Sequence, residues 1–86
     1  MRHKRSIMEF ARFRELACWT CEQAAEKIRE SGDERFARVN ASMVSKHERG
    51  ITFPNPDLID RYQEITDGAV TFADWWAVRQ AQRARA

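Results

Sequence analysis

Cysteine is scarce in this chain: Cys18 and Cys21 are the only two in 86 residues. Two thiols are too few to staple a small fold as a disulfide framework. Their Cys-Trp-Thr-Cys spacing is that of a redox pair, but the strand-then-helix pattern such a pair sits on is missing. Histidine is equally scarce, with only His3 and His47. A zinc site needs two ligands beyond the cysteines, and no metal site is expected. The thiols are read as small apolar fillers where one helix turns into the next. No apolar run approaches membrane-spanning length, and no strand alternation, internal repeat or low-complexity stretch appears. The basic start Met1-Arg2-His3-Lys4-Arg5 is followed by Glu9, Arg12 and Arg14 instead of an apolar segment, so no secretory leader is expected. The expected location is the cytoplasm. No paired carboxylates or nucleophile–base couple stand out, so the expectation is no enzyme, no cofactor and no small-molecule substrate. His47, one turn from Met43 and Val44, reads as a helix-end side chain packed on its neighbours.

What is present suits one small soluble domain over residues 1–86. Hydrophobic residues make up 43% and charged residues 33%, which separates the chain from disordered tails. Net charge is only +2, but its distribution is uneven. Arg2, Lys4, Arg5, Arg12 and Arg14 crowd one end and Arg79, Arg83 and Arg85 the other, while Asp57, Asp60, Glu64, Asp67 and Asp74 fall in the latter half. Local charge rather than the total sets an electrostatic footprint on nucleic acid. The ends, 1–5 and 80–86, are expected to fray.

Helical signals run throughout. Ser6 and Glu9 form a capping box before an apolar stripe of Ile7, Phe10, Phe13, Leu16 and Ala17. Thr20 and Gln23 form another before Ala24, Ala25 and Ile28, with a stop at Ser31-Gly32. Asp33 caps a single turn that folds Phe36 and Val39 inward and leaves Arg35 and Arg38 outward. Asn40 caps a helix that buries Met43 and Val44 and stops at Gly50. Ile51 to Pro54 is an extended connector, because residues before proline avoid the helical region. Asn55-Pro56-Asp57 is a strong start signal for a helix carrying Leu58, Ile59, Tyr62 and Ile65 to a stop at Asp67-Gly68. Thr71, with Asp74 three residues on, caps a last helix containing Phe72, Trp75, Trp76 and Val78. The expected fold is all-α: a compact bundle of about five helices.

The helix after Asn40 is the most informative segment. One face carries only Ser42, Ser45, Lys46 and Arg49. Hydroxyls and a cation on a short helix suit a DNA major groove, where serine reaches base edges or phosphates and lysine donates to guanine acceptors. An ordinary amphipathic helix with a solvated face carries the same pattern. The order of elements, together with Arg14-Glu15-Leu16, Thr20 to Ile28, Val39 to Gly50 ending Glu48-Arg49-Gly50, and Gly68-Ala69-Val70-Thr71, resembles the lambda-repressor-like, Cro-type helix-turn-helix family of phage and bacterial regulators over roughly residues 8–76. The resemblance implies a sequence-specific transcriptional regulator of phage or prophage type that acts as a repressor on a palindromic operator in double-stranded DNA. It implies base contacts from Ala41, Ser42 and Lys46, with Ser45 nearby, and a phosphate at Thr20, Cys21 and Gln23, where unpaired amides favour an anion. It also implies an ion pair between Arg14 and Glu48.

One departure stands out. The residues from Arg29 to Arg38 occupy what is usually a short glycine turn, so the turn of the motif is enlarged. Arg35, Arg38 and Arg49 are further candidates for phosphate contacts. Few bases are touched by one such domain, and a homodimer doubles them, with Trp75 and Trp76 as candidates for the seam. The adjacent tryptophans also support a different reading, a helical protein-interaction module of antitoxin or inhibitor type on the same fold.

Overall fold

The computed structural model describes residues 7–85. Five α-helices and one 3₁₀ turn, with no strand among the described residues, run in the order α1 (Phe10–Leu16), α2 (Cys21–Arg29), the 3₁₀ turn Glu34–Phe36, α3 (Ala41–Glu48), α4 (Pro56–Ile65) and α5 (Phe72–Arg85). The all-α bundle expected from the sequence is therefore the fold. No helix among the described residues is long and apolar enough to cross a membrane.

Most helix starts follow their local chemistry. Thr20 Oγ1 accepts from the Gln23 amide and Gln23 Oε1 accepts from the Thr20 amide, a complete capping box. Asn40 Oδ1 accepts from the Met43 amide and Asn55 Oδ1 from the Leu58 amide, with Pro56 opening α4. Asp33 accepts from the Arg35 amide and starts the 3₁₀ turn that buries Phe36. Asp74 reaches back to accept from both the amide and the hydroxyl of Thr71, at 2.7 and 3.1 Å. It also accepts from the Met8 amide at 3.1 Å, which ties the chain before α1 to the start of α5. α4 ends through Asp67 and Gly68, both at positive φ, with the Gly68 amide donating to the Gln63 carbonyl at 2.8 Å. That closure is the six-to-one bond of a left-handed helix end.

The first helix departs from expectation. It starts at Phe10, with Glu9 before it providing no side-chain cap, and Ser6 lies outside the described residues. Ile7 precedes the helix and is exposed, and Leu16 is 61% exposed. At about 100° per residue, the inward row from Phe10 passes through Phe13, Arg14 and Ala17. Leu16 lies about 120° away from Phe10 on the outer side. Cys18 is exposed and adopts φ 61°, so it turns the chain toward α2 rather than filling the core, while Cys21 is half-buried. Met43 is only half-buried where full burial was expected. At the other end, α5 extends through residues 80–85, and residues 1–5 lie outside the described residues.

The core gathers α1, α2, α4 and α5 around three rings. Phe10 lies 4.7 Å from Tyr62 and 5.8 Å from Trp75, and Tyr62 lies 4.5 Å from Trp75, all between ring centroids. Ala24 and Ala25 are fully buried. Small side chains at that point let α3 approach α2 closely, and α2 packs more extensively against α3 than against any other helix.

Candidate nucleic-acid interface

α3 is held from behind and open in front. Val44 and His47 are buried, while Ser42, Lys46 and Arg49 are exposed and Ala41 and Ser45 are partly covered. The periodicity of a helix separates these two sets: Val44 and His47 are three residues apart on one edge, and Ser42, Ser45, Lys46 and Arg49 follow the opposite one.

Three contacts orient the helix, and a fourth secures α2 behind it. Arg14 Nε donates to Glu48 Oε2 at 2.6 Å and its Nη2 to Glu48 Oε1 at 3.1 Å. This two-bond fork is partly sheltered, with Glu48's side chain 8% and Arg14's 20% exposed. Arg14 Nη1 also donates to the Trp19 carbonyl at 2.9 Å, so one guanidinium joins α1, the turn before α2, and the end of α3. The Glu48 hydrogen bond holds the Arg14 pKa above its ordinary value. Arg29 donates to the Val39 carbonyl just before α3. Arg61 caps the end of α2, donating to the carbonyls of Lys27 and Ile28 at 2.7 and 3.1 Å. A cation at a helix C-terminus also opposes the negative end of its dipole. Behind α3, His47 Nδ1 pairs with the Tyr62 hydroxyl at 2.9 Å. Burial lowers the His47 pKa from 6.5 to about 4, so the ring is neutral at physiological pH. Burial raises the Tyr62 phenol above its ordinary range.

The candidate DNA contacts separate into distinct environments. The side chains of Lys46 and Arg38 are exposed and make no ion pair among the described residues. Arg49 Nε makes one long bond, 3.4 Å, to the Ser45 carbonyl. Arg35 is exposed but committed: it forks onto Asp33 at 2.7–3.1 Å and reaches Asp57 at 3.2 Å. The same fork keeps the Asp33 carboxyl below its ordinary pKa. A phosphate would have to compete with two carboxylates for Arg35, which weakens its candidacy relative to Arg38. At the start of α2, the Thr20 hydroxyl accepts from the Gln23 amide and the Gln23 side-chain Oε1 accepts from the Thr20 amide. Of the first amides of α2, that of Gln23 is taken by Thr20, which leaves those of Cys21 and Glu22 without an intrahelical partner, as at any helix start. Cys21 is half-buried beside them, and burial pushes its thiol pKa up, so it stays neutral. Exposed Glu22 pairs with Arg29 at 3.4 Å and adds a negative charge near this end.

Of the two tryptophans assigned to a dimer seam, Trp75 is 1% exposed and belongs to the core. Only Trp76, 40% exposed, remains at the surface, stacked on exposed Phe72 at 6.2 Å between centroids. Adjacent helical residues lie about 100° apart, so when one faces the core its neighbour turns outward. The clamps made by Arg29 and Arg61 were not apparent in the sequence. Their partners are backbone carbonyls, which carry no residue-type signal, and lie up to 34 positions away. No protein-family model, curated protein or solved structure matches this chain.

Proposed function

We propose that this chain is a sequence-specific double-stranded DNA-binding regulator that lays α3 in the major groove. The observation that carries the reading is the outer edge of α3. Ser42, Lys46 and Arg49 are exposed there, while the opposite edge is fixed by the core, the Arg14–Glu48 fork and the His47–Tyr62 pair. Hydroxyls and cations on a rigidly held helix are what base-edge readout requires. In this reading Ala41, Ser42, Ser45 and Lys46 face bases. Arg38 and Arg49 meet phosphates, and the Cys21 and Glu22 amides, beside the capping box of Thr20 and Gln23, receive another. The long segment between α2 and α3 acts as an enlarged helix-turn-helix turn, braced by Phe36 in the core and by the Arg29 bond to Val39. The protein is a binding protein rather than an enzyme, acts in the cytoplasm, and belongs with Cro-type repressors of phage or prophage origin. It works as a homodimer on a palindromic site, with half-sites about 34 Å apart or a multiple of that, and Phe72 and Trp76 lie in the seam.

Selection of bound duplexes from a randomised pool, followed by fluorescence anisotropy on the winning sequence and on a scrambled one, tests this reading. A recurrent two-fold motif bound far more tightly than its scramble is expected. Equal affinity for both sequences refutes it. The surface aromatic group of Phe53, Phe72 and Trp76, with ring centroids 6.0–6.3 Å apart, favours the second reading, a protein-interaction module. In that case the same selection yields no motif.

A further inference from the structure

Beside the last turn of α3, the connector 51–54 and α5 enclose a cleft of about 200 Å³. Pro54, Trp75 and Val78 border it but are themselves buried, and the surface left open to an occupant is more polar than apolar. Three bordering side chains carry N–H groups: His47, Trp75 and Arg79. The indole N–H of Trp75 is buried without a hydrogen-bond partner among the described residues. A buried donor left unmet is costly, which favours an acceptor from outside the chain. The His47 ring lies 6.2 Å from that of Trp75 between centroids, and its tautomer follows from Tyr62. The Tyr62 hydroxyl lies 2.9 Å from His47 Nδ1, its only side-chain partner among the described residues. The hydroxyl therefore donates to Nδ1, and the ring, kept neutral by burial, carries its proton on Nε2. The Arg79 guanidinium lies over the rings of Phe53 and Trp76, 5.3 and 5.6 Å from their centroids. Stacked by its face, it still presents its N–H fork at the edge. No carboxylate borders the cleft, and none pairs with Arg79 among the described residues. The walls thus carry one positive charge and two neutral ring donors.

We propose that this cleft binds a small monovalent oxyanion of the nitrate, formate or bicarbonate class, with Arg79 as its counter-ion and the ring N–H groups of His47 and Trp75 as further donors. One cation balances one negative charge, whereas a divalent anion sheds water with a charge left unmet. A planar oxyanion offers two oxygens side by side, which is what a guanidinium fork matches. At about 30 Å³ per water in the liquid, the cleft holds such an ion with several waters and needs no apolar body to fill it. The donors are held in place before the ion arrives. Trp75 packs between Phe10 and Tyr62, His47 is tied to the Tyr62 hydroxyl, and Arg79 rests on two rings. Gly50, at φ 75°, sits so close to α5 that an added Cβ would lie 3.0 Å from Gln82 Cβ. Donors fixed in advance lower the ordering cost of binding. The proposal does not rest on the DNA reading.

The test is a titration of the full ¹⁵N-labelled chain near pH 7, without DNA and at constant ionic strength, by four probes: nitrate, formate, sulfate and formamide. Formamide has the size and planarity of formate without its charge. The reporters are the indole N–H of Trp75 and the ring nitrogens of His47, whose shifts also show which nitrogen carries the proton. Nitrate and formate are expected to move both reporters along saturating curves, with dissociation constants on the order of 10 mM. Formamide and sulfate should bind at least about tenfold more weakly. Arg79→Gln should weaken formate about tenfold or more, and Arg79→Lys less so, while the remaining spectrum stays that of the folded protein. Unsaturable shifts with nitrate and formate overturn the proposal, as does equal binding of formamide or of sulfate. A His47 proton found on Nδ1 overturns it too, because Nε2 would then be an acceptor. Should Arg79→Gln fail to fold, the four-probe comparison on the unmutated chain decides alone.

Discussion

Acid should unfold this protein partly through a single side chain, His47. Its ring is buried, packed edge-on to Tyr62 and Trp75 at 5.9 and 6.2 Å between centroids. Burial disfavours the imidazolium and lowers the folded-state pKa from 6.5 to about 4. In the unfolded chain the ring returns to about 6.5. Between those values the unfolded chain takes up a proton that the folded chain refuses, so acid pulls the equilibrium toward unfolding. This stabilising contribution is complete above about pH 6.5 and is lost progressively as the pH falls toward 4. The full span amounts to about 3 kcal/mol, with about 2 kcal/mol gone by pH 5. For a domain this small, with total stability toward the low end of about 5–15 kcal/mol, that is a large share. Asp33 does not confuse the window, because Arg35 holds its carboxyl below its ordinary value and its contribution disappears only at lower pH. Urea unfolding followed by circular dichroism between about pH 7.5 and about pH 5 should show the loss in the unmutated chain. His47→Gln should be less stable at neutral pH yet lose much less on acidification. A folded-state His47 resonance titrating near 6.5, or equal acid sensitivity in His47→Gln, would refute the reasoning.

Arg14→Ala should cost about 3 kcal/mol, because it strands the sheltered Glu48 carboxylate; a loss in chemical denaturation below about 0.5 kcal/mol would make the fork an ordinary surface pair. Lys46→Ala should weaken binding to the selected DNA by about 1–3 kcal/mol and relax preference at one base pair, read by anisotropy on single-base variants. Arg38→Ala should weaken binding about equally on all sequences and reduce the salt slope by roughly 1, whereas Arg35→Ala, already paired with two carboxylates, should change the slope less. Trp76→Lys should lower the dimer fraction in light scattering while leaving the fold intact, since that side chain lies outside the core; an unchanged dimer would remove Trp76 from the seam.

Short-range chemistry was legible in the sequence because it acts between neighbours. The Thr20–Gln23 capping box, the Asn40 and Asn55 caps and the glycine stops appear where residue type alone places them, since each satisfies a backbone group within three or four residues. The sheltered Phe36 and the polar edge of α3 were readable for the same reason: helical periodicity settles which side chains face apart. The phase of α1 was not readable. Ile7 and Leu16 look apolar and well spaced, but the helix starts three residues after Ile7, and the inward row runs through Arg14 rather than Leu16. Adjacent tryptophans cannot announce which one enters the core; packing on Phe10 and Tyr62 chose Trp75. The Arg14–Glu48 pair that the resemblance implied is present, but tertiary structure alone brought together His47 with Tyr62 and Arg61 with the end of α2. These groups are separated along the chain and joined only when helices pack, so their pKa values, their freedom to meet a ligand and their strength are consequences of packing rather than of local sequence.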